Sequence, residues 1–179
     1  SYTNRYNYGN AVQENFDADY IYSLPYGKGK TQSIFQGYNG RFSHQNEFAL
    51  DFDLKMGSAI LAARDGIVVT VVNNFNQSCP TISCAKYNNK IVIMHRDGTF
   101  ADYSHLKYHG AKVKKGEFVK KDQLIGYSGS TGFSSGPHLH FAVFSNRIDG
   151  KRTFIKTKFK TSESDATLLE EGKSYTKNY

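Results

Sequence analysis

No apolar run in the 179-residue sequence approaches the ~20 residues that a membrane-spanning helix needs. No segment carries a sustained apolar stripe at helical spacing, which argues against a helical architecture. Cysteine is scarce: Cys79 and Cys84 are the only two, and no further ligands stand near them to complete a metal site. There is no initiator Met and no signal-peptide pattern at Ser1, so the numbered chain reads as a mature or trimmed form whose leader is not legible. Lysines cluster at 112 to 121 and at 151 to 160, but neither cluster carries the motif of a nucleic-acid module. The basic faces therefore read as solvated surface, and no nucleic-acid partner is expected.

The residues that are present describe a folded protein. Hydrophobic residues make up 39% of the chain and aromatics 15%, which excludes a disordered polymer. The length suits one domain with a sizeable core, and 1–179 is expected to be a single unit. A net charge of +7 and a pI of about 9.3 imply attraction to an anionic partner, such as nucleic acid, a membrane surface or an acidic wall polymer. The spacing Cys79-Pro80-Thr81-Ile82-Ser83-Cys84 suits a small disulfide-closed loop. A disulfide places the chain in an oxidising compartment: secreted, periplasmic or on the cell surface.

Residues 1 to 30 read as an N-terminal arm, rich in Tyr and Asn up to 20 and turning at Leu24-Pro25-Tyr26-Gly27-Lys28-Gly29. From there strand follows strand. Ser33 to Tyr38 leads into a loop that ends at His44. Phe48 to Leu54 alternates, with Ala49, Asp51 and Asp53 on one face and Phe48, Leu50, Phe52 and Leu54 on the other. Further strands are expected at 59–63, 67–72, 90–95 and 99–106, with two short ones within 113–126. Residues 73–89 and 128–137 read as loops, and 166–171 as one helical turn. The fold class is all-β: antiparallel sheets in a sandwich-like core with a cleft, long loops and little helix. Residues 31–145 would form the core, and 146–179 an extension packed on it.

The most suggestive stretch is Gly136-Pro137-His138-Leu139-His140-Phe141. A strand repeats its side-chain direction every second residue, so His138 and His140 share a face while Leu139 and Phe141 point to a core. Neutral imidazoles suit zinc, nickel or copper, but a bare His-x-His is weak evidence. A zinc hydrolase needs three protein ligands and one open position. His140 can be one ligand. His44, just before a strand, and Asp51, on that strand's polar face, are candidates for the others, and His105 stands at a strand end.

At this point the chain resembles the lysostaphin/LytM-type zinc endopeptidases of bacterial cell walls. Four blocks stand in that family's order between about 36 and 144. They are His44 with Asp51-Phe52, Gly57 and Asp65-Gly66; Tyr103-Ser104-His105-Leu106; Val113 to Gly126 leading to Ser128-Gly129-Ser130-Thr131-Gly132; and the His138/His140 block. The resemblance implies one zinc ion held by His44, Asp51 and His140, with His105 and His138 as catalytic histidines that are not ligands. It implies cleavage of glycine- or D-alanine-containing peptides in peptidoglycan, with peptidoglycan or a glycine-rich peptide as substrate. Tyr103, Ser130 and Thr131 are candidates for holding the substrate backbone, and Gln36 and Asn39 for lining a cleft. Six residues separate His44 from Asp51, against three in many members, which leaves Asp53 as a rival ligand. The run from Asp51-Phe52 to Gly57 favours Asp51. His95 and His109 match no catalytic position; His95 is expected to pair across a hairpin and His109 to be exposed. A non-catalytic regulator or wall-binding module on the same fold is the alternative, and a lipoyl-type or phosphohistidine carrier is a more distant one.

Overall fold

The computed structural model describes residues 16–179. Of the expected arm over residues 1–30, residues 1–15 lie outside the described residues. The architecture is all-β. Its main sheet has nine strands, in the spatial order Phe118–Val119, Gly66–Val72, Lys90–Met94, Phe100–Ser104, Leu139–Asn146, Ala49–Phe52, Thr31–Gln36 and Ser174–Thr176, with Arg152–Ile155 completing it beside Leu139–Asn146. The pairings within it are antiparallel. A three-stranded sheet, Ala59–Leu61, Leu124–Ser128 and Leu106–Ala111, shares the same core.

Strand alternation assigns each face of the main sheet. Leu50, Phe52, Ile91, Ile93, Ala101, Tyr103, Leu139, Phe141 and Val143 are buried in one apolar cluster with Ile60, Leu106 and Ile125 of the smaller sheet. Burying a side chain of this size stabilises by about 1.5–3 kcal/mol, which fixes the register because a one-residue slip would send every one of them to the other face. The opposite face is thereby left to Asp51, Ser104, His140 and, further along, Phe100 stacked on Phe144 at 5.4 Å between centroids.

The strand Leu139–Asn146 is central, and its neighbours set the row on which function is argued below. His140 lies opposite Asp51 on one side and Ser104 on the other. His105 follows Ser104 with φ 63°, a left-handed turn out of the strand.

The structure departs from the sequence reading at three places. The segment 166–171 holds a short strand, Thr167–Leu168, and no helical turn. That strand joins Lys158–Phe159 and Ile21–Tyr22 in a separate three-stranded sheet, so pairing prevailed over local propensity. Residues 73–89 are ordered rather than a plain loop: Ser78–Cys79 pairs in parallel with Gly132–Phe133, and Ile82–Tyr87 is a 3₁₀ helix. The segment 99–106 divides into Phe100–Ser104 and Leu106–Ala111, which belong to different sheets. Ser174–Thr176 extends the main sheet, and the buried Lys177 ammonium donates to the carbonyl of Leu24.

Candidate active site

Three side chains from two strands and a loop converge. His44 Nε2 lies 3.1 Å from Asp51 Oδ1 and 3.1 Å from His140 Nδ1, and His140 Nδ1 lies 3.0 Å from Asp51 Oδ1. Among the described residues these form the one group of His, Cys, Asp or Glu whose donor atoms could hold a metal ion. Two imidazole nitrogens and one carboxylate oxygen are a zinc-type donor set. Bonds of about 2 Å to a tetrahedral ion separate its ligands by about 3.3 Å, close to the edges of this triangle. The residues present therefore fit a zinc ion.

Each donor is fixed from behind. His44 donates Nδ1–H to the carbonyl of Gly37 at 3.0 Å, which leaves Nε2 as the free lone pair. Gln36 donates from Nε2 to Asp51 Oδ2 at 3.0 Å, which turns Oδ1 towards the histidines. The Gln36 Oε1 accepts from the backbone N–H groups of Phe42 and Ser43 at 3.0 and 3.1 Å. One amide thus ties the His44 loop to the Asp51 strand. Gly40 lets the loop pass, because a Cβ there would lie 2.3 Å from Gln36 Cγ. Supports of this kind orient metal ligands and hold their tautomers.

Electrostatics follow from the packing. Burial opposes ionisation of Asp51, but hydrogen bonds with His140 and His44 outweigh it and hold the carboxyl well below the usual carboxylate range. Burial also disfavours protonation of His140, and its hydrogen bond to Asp51 overcomes this, raising its pKa. A carboxylate that stays ionised under burial is a ready ligand for a cation.

Two further imidazoles flank this group. The His138 ring lies 4.5 Å from that of His105, and His105 lies 5.9 Å from His140, measured between centroids. His138 Nε2 is 3.9 Å from Asp51 Oδ1. His105 donates Nδ1–H to the carbonyl of Thr131 at 2.7 Å, and His138 to that of Gly136 at 2.8 Å. Burial first, then the neighbouring His138 and His140, push the His105 pKa down to about 3, so its ring is neutral at physiological pH. The His105 ring therefore presents an unprotonated Nε2.

The other expected positions divide. Tyr103 does not face a cleft: it is fully buried and its hydroxyl accepts from the Ala63 N–H at 2.8 Å. It sits one residue out of phase with Ser104 on its strand, so the core face claims it. The Thr131 side chain is also buried, its hydroxyl donating to the Leu106 carbonyl and accepting from the Asn89 N–H, so it braces the loop. Ser130 is half-buried and bonded to Ser134. Asp53 stands apart from the donor triangle and is exposed. His95 is buried and donates Nδ1–H to the Asp65 carbonyl, whereas His109 is exposed. Sequence reasoning offered Gln36 only as a residue lining a cleft, not as the brace of Asp51, and missed Asn88, whose Oδ1 accepts from the His105 N–H at 2.9 Å. Only the polar character of Asn88, just before a strand, signalled it.

The profile of Peptidase family M23 matches residues 45–152, which include Asp51, His105, His138 and His140 and begin one residue after His44. A curated relative, the glycyl-glycine endopeptidase ALE-1 of Staphylococcus capitis, is 34% identical over 76% of this chain and 33% of its own length. The peptidoglycan DD-endopeptidase ShyA of Vibrio cholerae is 35% identical over 52% of this chain and 19% of its own length. The chain thus spans a third or less of these relatives. The solved catalytic domain of lysostaphin from Staphylococcus simulans superposes with a TM-score of 0.50 at 27% identity, over 70% of this chain and 87% of that one.

Proposed function

This chain belongs to peptidase family M23, and from that premise we propose that it is a zinc metallo-endopeptidase hydrolysing peptide bonds of bacterial cell-wall peptidoglycan. The observation that carries the reading is the donor triangle of His44 Nε2, Asp51 Oδ1 and His140 Nδ1, with edges of 3.0–3.1 Å and two more imidazoles beside it. A zinc ion held there supplies Lewis acidity, acidifying water to a pKa of about 7 and polarising a carbonyl oxygen.

The chain's own residues supply the rest. His44, Asp51 and His140 are the ligands, with Gln36 and the Gly37 carbonyl holding two of them in orientation. His105 and His138 are the catalytic pair. Because each spends Nδ1–H on a backbone carbonyl, each presents Nε2 as a proton acceptor, and a ring that has taken a proton there can return it as a donor to a developing oxyanion or to the leaving amine. Thr131 and Ser134 act behind them. The Thr131 carbonyl fixes His105, and the Ser134 hydroxyl lies 3.4 Å from His138 Nδ1.

Glycine bridges and D-alanine cross-links are both within this reading, as is action outside the cytoplasm. The bonded pair Cys79–Cys84 supports an oxidising compartment, and no helix among the described residues is long and apolar enough to cross a membrane. The +7 charge supports retention on an anionic wall. Residues 31–145 serve as the catalytic core, with 146–179 packed on it. The test is incubation of the zinc-loaded chain with purified walls of both cross-link chemistries, the fragments being read by mass spectrometry. New amine and carboxyl termini at one bond type support the proposal. No release from either wall, together with no bound zinc, would favour the non-catalytic regulator.

A further inference from the structure

Beside His138 lies a cavity of about 370 Å³, lined by Phe35, Asp53, Ser135, Gly136, Pro137 and His138. We propose that this cavity is a subsite for a primary ammonium group of the substrate, with the Asp53 carboxylate as its counter-charge and the Phe35 ring as its wall. The inference rests on the hydrolase reading above and names a chemical feature of the peptide that such a site would select.

The strand geometry places both residues deliberately. Ile34 pairs with Phe52 and Gln36 with Asp51, so one extra residue, Phe35, is bulged out of the ladder. Bulges re-aim side chains next to active sites. Ile34 is buried in the core and Gln36 is buried against Asp51, while Phe35 between them is 60% exposed. A large aromatic ring left this open, directly beside a functional cluster, has surface to offer a ligand. Asp53 lies two residues beyond Asp51, just past the end of the strand Ala49–Phe52, where its backbone N–H donates to the Ser33 carbonyl at 3.0 Å.

The charge pattern selects the ligand. The chain carries seven more cationic than anionic side chains, yet no Lys or Arg lines this cavity. Among the described residues, the Asp53 carboxylate accepts one hydrogen bond, from Ser33 Oγ at 3.4 Å, and makes no ion pair. An ionised carboxylate is acceptor-only with about four lone-pair sites, so it calls for a donor, and best for a charged one. Phe35 also borders a second cavity, whose two charged residues, Arg41 and Glu171, are of opposite sign, whereas Asp53 is the one carboxylate of the first. An ammonium is therefore favoured in the Asp53 cavity, where no cationic Lys or Arg opposes the carboxylate. A divalent cation is the poorer occupant, since hard cations take six or more oxygen ligands and this cavity supplies one carboxylate. An ammonium against an aromatic face gains further from the ring quadrupole.

The two sources of such a group are a peptide's free amino terminus and a side-chain amine. The experiment titrates the full chain, monitored by NMR chemical shifts, with triglycine and N-acetyl-triglycine, and with Nα-acetyl-lysine amide and its Nε-acetyl form. The expected result is a Kd about 5-fold lower for the charged member of at least one pair. Preference in the first pair identifies an amino terminus, and in the second a side chain. Asp53→Asn should abolish the preference and Asp53→Glu should restore it. Equal affinity within both pairs, or no measurable binding of any probe, overturns the inference. Wall cleavage tests the hydrolase reading separately, so a chain that prefers the ammonium but cuts nothing sinks that reading and leaves the subsite standing.

Discussion

Histidines stand at both ends of the strand pair Lys90–Met94 and Phe100–Ser104, and they begin alike. Lys90 faces Ser104, beside His105, whereas Met94 faces Phe100, so His95 lies at the far end from the candidate site. His44, His105 and His138 at one end and His95 at the other all give Nδ1–H to a backbone carbonyl, at 2.7–3.0 Å. The difference is in the second nitrogen. At one end the Nε2 atoms of His44 and His138 lie 3.1 and 3.9 Å from Asp51 Oδ1, and the His105 ring packs on that of His138. At the other, His95 Nε2 is buried without a hydrogen-bond partner among the described residues, its ring edge-on to Tyr22 at 5.9 Å. Nearby, Arg64 and Asp97 pair with each other at 2.8 Å. An anchored imidazole is thus common to site and core, and what its free nitrogen meets separates them.

The largest effects should come from the ligand end. Asp51→Asn or His140→Ala should leave the purified chain far short of one equivalent of zinc by metal analysis, with cleavage at background. His95→Gln should bind zinc as the parent chain does. Chelation of the parent should reproduce the ligand mutants, and zinc should reverse it. If His95→Gln lost zinc as fully as Asp51→Asn, the two ends would not be distinct.

Next come the flanking histidines. His105→Ala and His138→Ala should each retain zinc while cleavage falls roughly 10²–10⁴-fold, the usual range for general acid–base groups. Steady-state rates alongside metal content separate the two classes of residue. Undiminished turnover in both variants would remove the assigned roles.

Much of this contrast was legible beforehand, and the reasons are physical. Alternation along 48–54 and 138–141 fixed which side chains face away from the core, so Asp51 and His140 could each be put on a polar face, and the family resemblance joined them in one site. The same rule should have excluded Tyr103, which is one residue out of phase with Ser104 and lies wholly in the core. What could not be read was long-range support. Gln36 braces Asp51 because a bulge at Phe35 turns it inward, and Asn88 reaches His105 because the segment 82–87 folds as a 3₁₀ helix. Neither bulge nor helix has a strong local signature. His95 reads in sequence like any strand-end histidine; only the packed structure shows that Tyr22 lies against it.

That burial gives the core end its own pH signature. Burial, the largest cause, lowers the His95 pKa from 6.5 to about 4. Between those values the unfolded chain binds a proton that the folded chain refuses. The His95 contribution to stability is thus full above about pH 6.5 and is lost as pH falls towards 4, by about 3 kcal/mol. Denaturant unfolding of the parent and of His95→Gln, compared from pH 8 to pH 4, should show the variant losing less. Parallel loss in both would mean that His95 is not held neutral by the fold.

The smallest effect sharpens the comparison most, because it touches neither zinc nor a catalytic ring. Asn88 follows the 3₁₀ helix Ile82–Tyr87 that carries Cys84, and Cys79 pairs alongside Phe133. Its Oδ1 accepts from the His105 N–H at 2.9 Å, and its Nδ2 donates to Ser104 Oγ at 3.0 Å. His105 sits at φ 63°, a conformation that costs a non-glycine residue about 1 kcal/mol or more and persists only where its surroundings hold it. Asn88→Ala removes one of those holds and should lower kcat about 10-fold, a cost of about 1.4 kcal/mol, with KM and zinc content little changed. Asn88→Asp keeps the acceptor for the His105 N–H and should recover most of the rate. A merely structural Asn88 would lower stability in both variants and leave kcat per folded molecule intact. The same substitution test at the far end, His95→Gln, should also leave kcat intact. If Asn88→Ala and His95→Gln slowed cleavage equally, position relative to Asp51 would not be what distinguishes these histidines.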